Sequence, residues 1–368
     1  MLFGSPMVQD MCHRRPYTAV LVVPTGIGAA IGGYAGDALP VARGLAAVVD
    51  TLITHPNVMN GAQLYWPVAN ALYVEGYGLD QFAAGRWGLR PVHGNRIGLV
   101  LDQGIETELR WRHLQAAEAT RATLGLNLTD YVVTDAPLGV ALRTAVSGAT
   151  WGTIQQPDAL LRAVEKALAA GATAIAVVAR FPDDTDDTVL QNYRQGQGVD
   201  PLAGAEAVIS HLVVRTFQVP CAHAPALSPL PLDPKISPKS AAEEIGYTFL
   251  PCVLAGLSRA PQFVMTTAQG TALWADQVDA IIAPTSAWGG SAVLSLSRPG
   301  VQAIAVDANT TTLDVPAATL GLPVVQVASY LEAIGLIAAH RAGVHAHALT
   351  AQVPRLQVVG QGFPPLDR

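Results

Sequence analysis

One pattern constrains this 368-residue chain more than any other. A short β-rich apolar run, a loop carrying Gly, Pro or Asp, and a helical pattern follow one another along most of its length. Residues 17–23 run into PTGIGAAIGGYAGD, after which 38–49 reads as a helix with Asp37 as its N-cap. Residues 96–101 stop at Asp102 and lead to a helix closed by Gly125. Residues 157–170 have proline in the first turn and Gly171 behind them, and feed a strand over 174–179. The unit recurs at 278–283, 301–306 and 323–328, the last before the capping box Ser329-x-x-Glu332. Strands and helices alternating at this spacing form parallel βαβ units, and near-continuous apolar strands fit a sheet covered on both faces. The stretch 218–240 breaks the rhythm with prolines 220, 225, 229, 231, 234 and 238, and is expected to be extended and irregular.

Composition removes several classes. Charged residues are 14% and apolar ones 50%, the reverse of the balance that keeps a chain disordered. Twenty-two basic against 28 acidic residues give a net charge of −6, with no basic tract to track a nucleic-acid backbone. Only Lys166, Lys235 and Lys239 exist, none in a Gly-Lys-Ser/Thr loop and none placed for Schiff-base chemistry, so pyridoxal phosphate is not expected. Cationic recognition falls to arginines. Cys12, Cys221 and Cys252 make no disulfide framework and read as thiols of a reducing interior. The start, MLFGSPMVQDMCHRRPY, lacks a signal peptide's apolar core. Residues 16–36 are uncharged and long enough to span a bilayer, but five glycines and two prolines make them a strand and loop, so no transmembrane segment is expected.

In parallel sheets the ligand crevice lies beyond the carboxyl ends of the strands. Those ends carry Gly26 and Gly28, Asp102, Asp135, Arg180 with Asp183 and Asp184, Thr285 with Ser286, Gly289 and Gly290, and Asp307 with Asn309 and Thr310. Gly26-Ile-Gly28-Ala-Ala-Ile-Gly32 is the strongest anion cradle, one residue off the dinucleotide spacing, and the same glycines equally serve a tight turn. Arg180 or Arg194 would clamp the anion. Asp102, Asp135, Asp183 and Asp307 are the candidate acid, base or cation-holding carboxylates. His211, Cys221, His223 and Cys252 offer a zinc donor set without a finger or ribbon spacing, or Cys221 and His223 a thiolate with its base.

The strings VTDAPLGV, ARFPDD, YRQGQGVDPLAGAEAVISHLVVRTF and PCAHAPALSPLPLDP, with the glycine-rich segment from Pro24 onward, are long and specific. Over residues 16–343 the chain resembles a family built on a domain of unknown function, found mainly in cyanobacteria and plastid-bearing eukaryotes. The resemblance implies a cyanobacterial cytoplasm or a plastid stroma and assigns no catalytic residue.

The expectation is an α/β chain of Rossmann-like units in two lobes, residues 1–150 and 151–368. It would be an enzyme for a small anionic metabolite, a carboxylate or phosphorylated compound, with Ser286, Gly289, Gly290 and Asn309 helping to bind it. A divalent cation or a nucleotide are the cofactors this set admits. Low charge on a chain this size also points to a homo-oligomer. A non-catalytic metabolite sensor and an assembly factor resting on a membrane are the alternatives.

Overall fold

The apolar runs pair side by side, all parallel, into two sheets that are interleaved in the sequence. A computed structural model describes residues 15–353 except 35, 61–66, 184–186, 245–248 and 267–270. The chain first lays down β1 (Thr18–Leu21), α1 (Leu39–Ala46), β2 (Thr51–Thr54), α2 (Pro56–Met59), β3 (Ala71–Tyr73) and α3 (Gly76–Ala83). It leaves through β4 (Gly88–Arg90) and builds β5 (Ile97–Leu101), α4 (Thr107–Leu124), β6 (Val132–Val133), the hairpin β7 (Val140–Thr144) and β8 (Thr150–Ile154), and α5 (Pro157–Ala169). Then come β9 (Ala174–Arg180), α6 (Asp187–Arg194), α7 (Ala203–Phe217), β10 (Cys221–Ala226), α8 (Pro238–Glu244) and α9 (Phe249–Ser258). It returns through β11 (Gln262–Val264), which pairs antiparallel with β4 and so ties the way out to the way back. β12 (Ala280–Pro284), α10 (Ser291–Leu296), β13 (Gln302–Val306), β14 (Val325–Val327) and α11 (Tyr330–Ala342) complete it.

The larger sheet has the order β3-β2-β1-β12-β13-β14, and the inserted one β6-β5-β9-β10. The boundary expected near residue 150 falls inside the inserted unit, at the tip of the β7–β8 hairpin where β8 begins. The larger sheet instead joins residues before 74 to residues after 279. Two apolar layers run across both sheets. One takes Leu21, Leu52, Leu99 and Val178, and the other takes their chain neighbours Val20, Ile53, Val100 and Val177. This is the alternation of a strand covered on both faces, and β5 and β12 are buried at every position. Where α5 crosses β5, Gly98 leaves room: a Cβ there would lie 2.9 Å from Ala167 and Ala172.

Local signals set most helix ends. Gly125 and Gly343 close α4 and α11 in the left-handed conformation, and the Ser329 hydroxyl accepts the N–H of Glu332. Asp37 does not cap α1. Its carboxylate reaches back to the N–H of Gly32 at 2.5 Å and to the Lys239 ammonium at 3.1 Å, and Ala38 takes the cap position. The proline-rich stretch 218–240 is also more regular than expected. Its first third is β10, an edge strand, where Pro225 is tolerated because no further neighbour needs its missing N–H.

Candidate functional site

A doubly wound sheet opens a crevice where its strand order reverses, and this chain has two such places. In the inserted sheet the reversal lies between β5 and β9, and the chain closes it with its own anion. One oxygen of the buried Asp102 accepts the N–H groups of Gly104 and Leu138, both at 2.9 Å, and the other accepts that of Arg180 at 3.0 Å. Three backbone donors that could meet a ligand are thus spent on a side chain. Asp102 is a staple, not an acid or base.

In the larger sheet the reversal lies between β1 and β12, and there the molecule is open. A cavity of about 370 Å³ is lined by Val22, Pro24 and Thr25 after β1, His55 and Asn57 after β2, Glu75 after β3, and Gly290 and Ser291 at the start of α10. The inserted unit supplies the opposite wall: Asp200, Glu206, Ser210 and His211 from the turn before α7 and from α7 itself, and His223 from β10. A second cavity of about 170 Å³ lies against the first, and Asn60, Asp200, Glu206 and His223 line both.

The charge states follow from burial and partners. Glu75 caps α3: one oxygen accepts the N–H groups of Tyr77 and Gly78 at 2.8 and 3.2 Å, and the other lies 2.7 Å from Nδ1 of His211. Burial alone would depress His211, but the Glu75 carboxylate, with the Ala207 carbonyl and Asp80, outweighs it and holds the ring above its ordinary value. His55 has no such partner. The N–H of Val23 donates to its Nε2 at 3.0 Å, fixing the proton on Nδ1, and burial pushes the ring down to about 4. His223 is likewise neutral, pushed to about 3 by burial with His211 adding to it. Its Nδ1 lies 3.0 Å from the Ser210 hydroxyl and its Nε2 3.8 Å from Glu206. Burial raises the Asp200 carboxyl to about 6 although the Leu202 N–H, at 2.8 Å, favours the ionised form. Asp80 is raised by burial too, against the N–H of Ala292. Asp200 therefore exchanges its proton close to neutrality, beside a His211 ring raised by its carboxylate partner.

Most residues singled out from the sequence lie elsewhere. The glycine-rich loop is packed rather than open: Thr150 donates to Gly26, Thr312 to Ile27, and Asn309 accepts from Ile31 and donates to its carbonyl. Asn309 is buried in that clamp and also donates to Tyr330. Asp135 is held bidentately by Arg162 on the surface, and Asp307 accepts from Thr285 and Gln326. Ser286 bonds Thr311, and Gly289 packs on Val315. Arg180 is engaged by Glu106 and Asp183, whose carboxyl it holds down to about 2. Arg194 is buried and donates to the Pro231 carbonyl, fastening α6 to the proline-rich stretch. Asp184 and Cys12 lie outside the described residues.

Four of the predicted positions do reach the cavities: Gly290, His211 and His223 in the larger, Asp183 and again His223 in the smaller. The proposed zinc set does not assemble. Among the described residues no group of three or more His, Cys, Asp or Glu could hold a metal ion. Cys221 and Cys252 are buried, and burial pushes the Cys221 thiol well above its ordinary range, so it is no thiolate nucleophile. His55, Glu75, Asp80, Asp200 and Glu206 went unnoticed. For two of them the signal was present, since His55 and Glu75 directly follow the apolar runs Thr-Leu-Ile-Thr and Leu-Tyr-Val, as Asp102 follows its own.

Fold and site define an α/β protein with a doubly wound parallel sheet, a second parallel sheet inserted into it, and an acid- and imidazole-lined cavity where the two meet. The chain belongs to the family described as Protein of unknown function (DUF3326), whose model matches residues 18–350, as the resemblance implied. A Synechococcus protein described as an uncharacterized lipoprotein is 62% identical over 343 residues, covering 93% of this chain and 96% of the relative. A cyanobacterial relative agrees with the expected source, but its description as a lipoprotein overturns the cytoplasmic placement. No solved structure matches the chain. Among the described residues no helix is long and apolar enough to cross a membrane.

Proposed function

We propose that this chain is an enzyme performing proton-transfer chemistry on a small neutral or cationic metabolite bound at the reversal point of the larger sheet. The observation that carries the reading is the convergence in one cavity of Asp200, titrating near 6, with the Glu75–His211 pair. The anionic metabolite expected from the sequence is set aside on electrostatic grounds. No Lys or Arg is among the described residues lining either cavity, whereas Glu75, Asp80, Asp200 and Glu206 all line the larger one. Hydroxyl or ammonium groups suit that wall, with neutral His55 and His223 as further hydrogen-bonding partners. Asp200 would take or give the proton, and Glu75 would keep His211 charged and oriented.

A second reading is binding without turnover, favoured by a cavity walled by two parallel-sheet units together with the relative's description as a lipoprotein. That description also makes a membrane-surface setting a proposal for this chain, which partition into a detergent phase would test. Homo-oligomerisation remains a proposal from the low charge.

A ligand-observed NMR screen of matched amines, polyols, carboxylates and phosphates tests the main reading. Amines or polyols are expected to bind, more weakly below pH 6 and more weakly in Glu206→Gln. A preference for carboxylates or phosphates overturns it. Asp200→Asn separates enzyme from binder: a binder loses only the amine affinity that goes with the charge, whereas an enzyme in which Asp200 handles the proton also loses turnover at saturating ligand.

A further inference from the structure

Two cavities of contrasting chemistry share a wall. The larger is lined by four carboxylates and three imidazoles, as described. The smaller is dominated by apolar groups: Leu190 and Tyr193 of α6, Leu202, Leu227 on the stretch after β10, and Phe249 and Val253 of α9. The four residues lining both, Asn60, Asp200, Glu206 and His223, are all polar, so the proton-exchanging Asp200 stands at the junction. An enzyme for a compact polar molecule alone would have no use for an apolar side chamber beside its acid–base residue.

We infer that the substrate is an amphiphile, with a cationic or hydroxylated head in the larger cavity, an apolar arm in the smaller one, and its reacting group between them beside Asp200. This rests on the proposed function and names its substrate class. A volume of about 170 Å³ admits an arm of about five or six carbons, as an apolar cavity of about 150 Å³ admits benzene. The arm would act as a specificity element: each methylene it buries raises affinity about three- to fourfold, until the chamber is full. Leu190 and Leu227, half-buried on its rim, are the residues that set the length.

The n-alkylammonium series from ethyl to decyl, titrated against the full chain by protein-observed NMR or calorimetry at pH 7.5, tests this. Affinity is expected to climb about threefold per carbon to pentyl or hexyl and then level. In Leu190→Trp, and independently in Leu227→Trp, the climb is expected to stop two or three carbons earlier while ethylammonium affinity stays unchanged. Both positions are partly exposed, so both variants should fold, and ethylammonium binding reports that they have. An affinity independent of chain length, with ethylammonium still bound and weakened by Glu206→Gln, overturns the amphiphile and leaves the proposed function standing. Tighter binding of n-hexanoate than of n-hexylammonium and n-hexanol puts an anionic head beside the carboxylates and overturns both.

Discussion

The carboxylate of Asp102 accepts the backbone N–H of Arg180 at 3.0 Å, so a side chain bridges the strand reversal of the inserted sheet where a ligand would otherwise sit. The same carboxylate holds Gly104 and Leu138, binding the ends of β5 and β9 to the loop after β6. Asp102→Ala leaves three donors without an acceptor and should cost about 3–5 kcal/mol in urea unfolding. Asp102→Asn keeps one accepting oxygen but turns an N–H against the other donor, and should cost about 1–3 kcal/mol. Ligand affinity at the larger cavity is expected to be unchanged in the folded fraction. An Asn variant of full stability that had lost binding would return Asp102 to the candidate site.

Gly28 has a structural reason to be glycine. Its φ is +56°, and a Cβ there would lie 2.8 Å from Val199 Cγ2 and 3.0 Å from the Gly198 carbonyl. Gly28→Ala should therefore destabilise by about 1–3 kcal/mol, from left-handed strain and overpacking together. Amine affinity measured on the folded protein should not move, since Gly28 does not line the cavity. A loss of affinity at unchanged unfolding midpoint would restore the loop as a ligand cradle.

Glu75 and His211 join the two units across the cavity. A histidine whose value is raised by folding stabilises the fold below its unfolded value of about 6.5, and loses that contribution as pH rises through the higher folded value. Glu75→Gln keeps an oxygen for the cap of α3 but removes the charge facing Nδ1, leaving burial opposed only by the Ala207 carbonyl, 2.6 Å from Nδ1, and by Asp80. The His211 titration, followed by NMR of its ring protons, should move down from its raised position. A His211 curve indifferent to the substitution would show that the contact is not the source of the shift.

How much of this was legible depends on whether the cause is local. Caps and glycine stops lie within a few residues of the helix they end, which is why α4, α5 and α11 could be read directly. β2 and β3 escaped because strands of four and three residues carry too little pattern, and their partners lie outside their own sequence. The rule of seeking polar groups behind apolar runs found Asp102 and Asp307, and would have found His55 and Glu75 had those strands been recognised. It could not rank them. Asp102 satisfies backbone donors and Glu75 faces a histidine, a difference created by what packs opposite. Asp200, Glu206 and His223 reach the site only because the inserted unit folds back over the larger sheet, and no spacing within the chain encodes that approach.

The half-buried Asp200 gives the site a measurable cost. An aspartate raised to about 6 in the folded state favours folding below its unfolded value of about 3.9, and that contribution is lost as pH rises through 6. At pH 7–8 the protein therefore carries a poorly solvated charge that Asp200→Asn would remove, while an asparagine oxygen still accepts the Leu202 N–H. The variant should be more stable than the parent by about 1–3 kcal/mol at pH 8, with the difference vanishing near pH 4. Turnover of the substrate should be lost in the same protein, because a group kept ionised at a cost to folding is retained for its chemistry. Urea titrations of both proteins at pH 4, 6 and 8 check the sign. A variant less stable at every pH would mean that the carboxylate is held by partners and is not strained by burial, and Asp200 would lose its place as the proton-transfer group.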